Sequence, residues 1–286
     1  MSAGAPSLPD AVDQRSSGGL LTPELALATD AARRAGALQL EHLGRLHHIE
    51  AKGPRDIVTE ADTLSEQLIL EAIRAAYPDD AIIAEESGHH RGRRGQGPEP
   101  SAGIGRAWLI DPLDGTINYA NRLPLFCVSI ALAIDGRPAL GVVYDPSRDE
   151  LFVARAGAGA TLDGRPLHKP SREKLSDCLA MVALASRGWR NRERAIVRAS
   201  RARRDLGSAA LSLAYVSDGR FDLLVQTRGL STWDVAAAGL IAEEAGAAVS
   251  DAHGGPWLDL AAPVRGIEIV AAPPAHHAEL LRLLAA

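Results

Sequence analysis

Residues 108–118 read WLIDPLDGTIN, and this stretch decides the fold. An apolar strand ends at Asp111, and Pro112, which has no N–H to offer a ladder, breaks it. Asp114, Gly115 and Thr116 then start a helix. Two carboxylates, Asp111 and Asp114, thus leave one strand end together, with the Leu113 carbonyl facing the same side. All three are hard oxygen donors, the kind Mg²⁺ takes in preference to thiolate or imidazole. The backbone amides of Gly115 and Thr116 at the helix start make an anion site. The stretch therefore predicts adjoining metal and phosphate sites. Taken alone, Asp-Pro and Asp-Gly near a strand end also serve as turn punctuation, so the reading rests on the surrounding sequence.

Moving outward, three more acidic signals stand at element termini. Glu85 and Glu86 end the apolar run AIIAEES, Asp62 opens a helix after DIVTEA, and Asp234 follows Trp233 at the head of the Ala-rich WDVAAAGLIAEEAG. Asp234 reads equally well as an N-terminal residue facing the helix dipole. Turn chemistry does not account for acids at so many termini in a chain whose other loops mostly carry Arg, Gly and Pro.

The flanking periodicities place these signals on elements. Residues 1–20 are rich in Ser, Gly and Pro without hydrophobic period and predict a flexible tail. A helix starts with Thr22 and Pro23 and repeats Leu27, Ala31, Ala35 and Leu38 on one face. A turn at 52–55 and an extended piece at 56–58 precede a second helix over about 60–76, with Leu64, Leu68, Leu70 and Ile73 as its apolar positions. Residues 88–106 carry glycines without period and predict a mobile surface insertion between two strands. FCVSIALAIDGRPALGVVYDPSRDELFVARAG predicts three strands of an antiparallel meander, and residues 156–166 predict hairpin loops. Past residue 150, helices are expected at 190–202, from Ser208, at 233–245 and after Pro274, among further strands. The chain divides into a tail (1–20), an N-terminal α+β part with antiparallel strands (21–150) and a C-terminal α/β part with a mixed sheet (151–286).

Composition bounds the function. With 286 residues the chain forms one large domain or two intimate ones. A net charge of −5 and 4% aromatics argue against a dedicated nucleic-acid binder and against stacking platforms for single strands. Cys127 and Cys178 are too far apart for a metal spacing and predict reduced core thiols. No run of 18 apolar residues and no leader-like N-terminus occur, which predicts a cytoplasmic protein without membrane association. Eight arginines between 187 and 204, with Glu193 as the only acid, read first as a solvated helix face, then as steering for phosphorylated substrates, and last as a nucleic-acid contact. Histidine pairs at 47–48, 89–90 and 276–277 read as surface residues.

DIVTEAD at 56–62, EES at 85–87, WLIDPLDGTINY at 108–119 and WDVAAAGLIAEEAG at 233–246 resemble, in order and spacing, the signature motifs of the inositol monophosphatase family. LGSAALSLAYVSDGRFD at 206–222 supplies a fifth motif, and the resemblance runs from about residue 22 to the C-terminus. It implies a layered αβαβα sandwich with the active-site cleft between two halves, and a homodimer. It implies Mg²⁺-dependent hydrolysis of a small phosphate monoester, with two or three Mg²⁺ per site. Carried over, Glu85, Asp111 and the Leu113 carbonyl hold one metal; Asp111, Asp114 and Asp234 hold a second; Asp62 and Glu85 neighbour a third. Gly115 and Thr116 match the phosphate-binding amides, and the Thr116 hydroxyl polarises the attacking water with either Asp62 or Glu85. Gly207, Ser208 and Ala209 match the segment lining the sugar or cyclitol pocket, and Lys52 lies near the family's mobile basic loop.

The sequence departs from inositol-specific members at Thr227, where they carry an acid that touches ring hydroxyls. Thr227, with Gln226 or Arg228 beside it, is expected to contact substrate. Arg228 keeps bisphosphorylated sugars, histidinol phosphate and nucleotide phosphates open beside inositol 1-phosphate. A catalytically idle RNA- or protein-binding regulator on the same fold is the rival reading.

Overall fold

The computed structural model describes residues 21–45, 49–53, 56–92, 105–184, 189–260 and 263–286. The expected tail at 1–20, His47, His48 and most of the 88–106 insertion lie outside the described residues, as does the Lys52 side chain. Helix α1 (Thr22–His42) buries Ala28, Ala31, Ala32 and Ala35, and α2 (Glu60–Ala76) buries Ile69, Leu70 and Ile73. Leu21, not Thr22, caps α1. Between the helices lies an antiparallel pair, β1 (Ile49–Gly53) with β2 (Asp56–Thr59), where the sequence gives a strand signal only for its second member.

The larger sheet takes its strands from β3 (Ala81–Ala84), β4 (Gly88–His90), β5 (Arg106–Asp114), β6 (Cys127–Ile134), β7 (Arg137–Asp145), β8 (Glu150–Arg155), β9 (Gly159–Leu162) and β10 (Arg165–Pro166), in the spatial order β10-β9-β8-β7-β6-β5-β3-β4. The meander and the Asp163-Gly164 hairpin stand where the alternation puts them, and the sheet continues past residue 150 to Pro166. Two features differ from expectation and both shape the site. Gly88–His90 is an edge strand on β3, not part of a loop, and β3 pairs parallel to β5. A long return segment between β3 and β5 permits a parallel pair, which a tight turn cannot make. The strand through WLIDPLD does not end at Asp111 but runs to Asp114, with its register against β6 shifting between the two aspartates. Pro112 cannot donate to the ladder, so the strand bulges there and resumes, and a bulge re-aims side chains.

The smaller sheet comprises β11 (Leu179–Ala183), β12 (Ala202–Arg204), β13 (Leu223–Gln226), β14 (Ala248–Ser250) and β15 (Ile269–Ala272), in the order β12-β11-β13-β15-β14. Strands β12, β11 and β13 run parallel, while β15 is antiparallel to both β13 and β14. Helix α4 (Arg190–Ala199) stops before β12, three residues short of the expected end. Helices α5 (Ala209–Ser217), α6 (Thr232–Glu244) and α7 (Pro274–Ala285) complete the chain.

Three of the four apolar clusters hold the five layers together. α1 and α2 pack on the outer face of the larger sheet, α5 and α6 fill the space between sheets, and α4 and α7 cover the smaller sheet. A helix between two sheets must be apolar around its circumference, and α6 is buried at every position from Val235 to Ala242. Its small residues set the spacing: a Cβ on Gly141 of β7 would lie 2.6 Å from the Ala237 carbonyl oxygen. The result is the αβαβα sandwich.

Candidate active site

Parallel pairing of β3 and β5 brings their C-terminal ends to the same edge of the larger sheet. Glu85 leaves β3 there, its amide donating to the Ile110 carbonyl at 3.1 Å, and Asp111 and Asp114 leave β5 on either side of the Pro112 bulge. Gln39 of α1 fixes the bulge by donating to the Pro112 carbonyl at 2.7 Å. The N-termini of α2 and α6 add Asp62 and Asp234. Both occupy the third helical position of a capping box, Asp62 accepting from the Thr59 amide at 2.9 Å and Asp234 from the Ser231 amide at 2.7 Å. The cap and the site readings of Asp234 are thus compatible: one oxygen closes the box while the residue faces the cleft.

Glu85, Asp111, Leu113, Asp114, Gly115, Thr116, Gly207, Ser208, Ala209 and Asp234 all line one cleft of about 690 Å³. Asp62 is fully buried behind it and reaches it through Thr116, whose hydroxyl lies 2.9 Å from Asp62 Oδ1 and 3.1 Å from the Leu113 carbonyl oxygen. Asp111 sits beside Glu85 and Asp234. Burial, followed by the charges of Glu85, Asp114 and Asp234, pushes the Asp111 carboxyl well above the usual carboxylate range. Asp234 is raised for the same leading reason, with Asp114 as the principal charge. Asp114 is raised by burial, against the pull of Ser208 and the first amides of α5. Ser208 Oγ and the Ala210 amide donate to Asp114 Oδ2, each at 2.6 Å, so that oxygen also anchors α5.

Carboxyl groups this close need a shared proton or a cation to neutralise them. Among the described residues no group of three or more His, Cys, Asp or Glu side chains is drawn together closely enough to hold a metal ion by itself. Mg²⁺ does not require such a group, because it keeps waters and binds through one or two carboxylates plus substrate phosphate. The all-oxygen donor set and its mutual repulsion fit Mg²⁺ on that basis.

Gly115 caps the short helix α3 (Thr116–Ala120) with φ +100°, and a Cβ there would sit 2.8 Å from the Leu125 carbonyl oxygen. Its amide and that of Thr116 head the helix, where the first turn has no intrahelical acceptors. Asn118 ties this turn to the opposite wall by donating to the carbonyls of Leu125 and Leu206, both at 2.7 Å.

Thr227 departs from expectation. It is buried, its amide donates to the Ala183 carbonyl, and the cleft is lined instead by Gln226 and Arg228 on either side of it. Alternation at a strand end turns every second side chain away. Arg204, the last of the arginine run at 187–204, also lines the cleft, and so do Asp205 and Arg265, lone charges in loops that carry no periodic signal. Glu66 was equally silent: buried on α2, its carboxylate accepts from the Glu86 and Ser87 amides at 2.9 and 2.8 Å and so fixes the turn that carries Glu85. Cys127 and Cys178 are free and buried, with the Cys127 thiol pushed up by burial and by Asp114 and Asp111. His276 is buried and donates to the Arg172 carbonyl, contrary to the surface reading.

Comparison with known proteins agrees with this architecture. The inositol monophosphatase family matches residues 20–286. The chain is 41% identical to the Nus factor SuhB of Pseudomonas aeruginosa over 82% of its own length and 87% of that protein. It is 36% identical to inositol monophosphatase 3 of Solanum lycopersicum over 80% and 86% of the two chains. Among solved structures, the extragenic suppressor protein suhB from Bartonella henselae superposes with a TM-score of 0.81 at 32% identity, covering 92% of this chain and 98% of that one.

Proposed function

The chain belongs to the inositol monophosphatase family, and from that premise we propose that it hydrolyses a small phosphate monoester, inositol 1-phosphate among them, with Mg²⁺ as cofactor. The observation that carries the proposal is the convergence of Glu85, Asp111, Asp114 and Asp234 on one cleft that also holds the Thr116–Asp62 pair. Glu85, Asp111, Asp114, Asp234 and the Leu113 carbonyl are the groups that would hold Mg²⁺, with Asp62 neighbouring a further ion. Bound there, Mg²⁺ offsets phosphate charge, lowers the pKa of a water and stabilises the leaving oxygen.

The chain's own groups do the rest. The amides of Gly115 and Thr116 orient the phosphoryl oxygens at the head of α3. Thr116 Oγ1 donates to Asp62 Oδ1 and so turns a lone pair outward to accept a proton from the attacking water. Asp62 draws that proton onward. The geometry thus favours Asp62 over Glu85 as the partner of Thr116. Gly207, Ser208 and Ala209 bound the pocket for the alcohol part of the ester, and Asn118 holds that wall against the phosphate turn.

A cytoplasmic homodimer completes this reading. No helix among the described residues is long and apolar enough to cross a membrane. Relatives named Nus factor favour a second reading, an RNA- or protein-binding regulator. The retained carboxylate set favours the enzyme, since a chain released from catalysis has no reason to keep a cluster of repelling acids. Phosphate release from inositol, histidinol, fructose and nucleotide phosphates, with and without Mg²⁺, tests the proposal. Metal-dependent turnover of at least one is expected, and silence across the panel would refute it.

A further inference from the structure

The cleft has two walls of opposite charge. Its carboxylate wall comes from the larger sheet; facing it are the C-terminal ends of the parallel strands β12 and β13 and the segment leading into β15. These carry Arg204, Arg228 and Arg265, all exposed and all lining the cleft. Topology gathers them: β12 and β13 both run parallel to β11, so their ends share one edge, and the Ser231–Arg265 bridge brings the third arginine to that edge. Crevices beyond strand C-termini are where ligands bind in sheets of this kind.

Among the described residues none of the three forms an ion pair with an acid. Arg204 donates to the Arg203 carbonyl, and the Arg265 guanidinium lies 5.8 Å from the Trp233 ring centroid. Several arginines elsewhere are paired, as Arg220 is with Glu150 and Asp218 and Arg106 with Glu24 and Asp80. The acid on the arginine wall, Asp205, is engaged with the Gly207 amide at 3.1 Å. Guanidinium groups left without carboxylates beside a phosphate site are suited to bind a further anion through forked hydrogen bonds. The adjacent position Thr227, turned inward, provides no acid to grip ring hydroxyls.

We propose that Arg204, Arg228 and Arg265 form a second anion subsite, so that the preferred substrate is a bisphosphorylated ester with one phosphate at the carboxylate wall and the other at the arginine wall. This rests on the hydrolytic reading above and names the substrate class for it. The same charge pattern disfavours histidinol phosphate, whose ammonium group would face the arginines.

The test compares hydrolysis of fructose 1,6-bisphosphate with that of fructose 1-phosphate and fructose 6-phosphate. In the wild-type chain, kcat/KM for the bisphosphate exceeds that for either monophosphate by about tenfold or more, mostly through KM. That ratio falls by at least about fivefold in the Arg228→Gln/Arg265→Gln protein and narrows with rising salt. Arg198→Gln on α4, outside the cleft, leaves the ratio where it was. Equal kcat/KM values, or a ratio untouched by the double substitution, would overturn the subsite while leaving hydrolysis itself in place. If none of the three sugars is turned over, calorimetric titration of each into the wild-type chain decides in the same way: tighter bisphosphate binding that is lost in the double variant supports the subsite, and equal binding refutes it.

Discussion

Thr116 Oγ1 lies 2.9 Å from Asp62 Oδ1, although the two residues are 54 positions apart in the chain. The pairing depends on two local devices. The capping box with Thr59 immobilises Asp62, and the left-handed turn at Gly115 presents Thr116 at the head of α3. If this pair handles the proton of the attacking water, Thr116→Ala lowers kcat by about a hundredfold or more. KM and the Mg²⁺ binding isotherm stay close to wild type. A raised KM with kcat intact would instead assign Thr116 to substrate binding alone.

The raised carboxyls of Asp111 and Asp234 make the stability of the metal-free protein depend on pH. Both bind protons more tightly in the folded chain than in the unfolded one, so their contribution is fullest at low pH and is lost as pH rises through the raised values. The melting temperature of EDTA-treated protein therefore falls more steeply in wild type than in Asp111→Asn as pH rises above the ordinary carboxylate range, and Mg²⁺ raises it most at the higher pH. Parallel curves for the two proteins, without a pH-dependent effect of Mg²⁺, would contradict a repelling cluster that a cation neutralises.

Glu66 touches no substrate, yet it fixes the turn that carries Glu85 by accepting from two consecutive amides. Glu66→Ala is expected to weaken Mg²⁺ binding by about tenfold, the usual effect of removing an outer support of a metal site. Calorimetric titration reads this directly, and unchanged affinity would make Glu66 purely structural.

Gly115→Ala tests the phosphate turn. Its φ of +100° and the 2.8 Å approach of a Cβ to the Leu125 carbonyl oxygen leave no room for a side chain. The substitution costs about 1–3 kcal/mol of stability in denaturant titration and displaces both amides of the turn. A variant as stable as wild type would show that the turn relaxes freely.

The meander, α1, α2 and α5 to α7 were legible in the sequence because alternation, apolar spacing or a helix-start residue such as Ser208 or Pro274 marked each of them. The short edge strands were not. Gly88–His90 and Ala202–Arg204 hold three residues each, too few for a period to show, and tertiary pairing decides them. Asp111 was read as the end of a strand because Pro112 breaks the ladder; the structure uses that break as a bulge and carries on to Asp114. The acids at element termini were visible through their shared position beside turn residues. Their supports, Gln39 and Glu66, lie within helices like any other polar residue, and only the fold shows what they hold. The arginine wall was visible in part, in Arg228 and in Arg204 as the end of an arginine run, whereas Arg265 meets them only through the fold of the smaller sheet.

The central claim is that a cluster of carboxylates turns this cleft into a cation-dependent phosphatase. Phosphate release from inositol 1-phosphate by wild type and by Asp111→Asn, each in Mg²⁺ and in EDTA, tests it most directly, with circular dichroism confirming that both are folded. Turnover by wild type in Mg²⁺ alone is the predicted result. Equal turnover by folded Asp111→Asn, or turnover that survives EDTA, would contradict it.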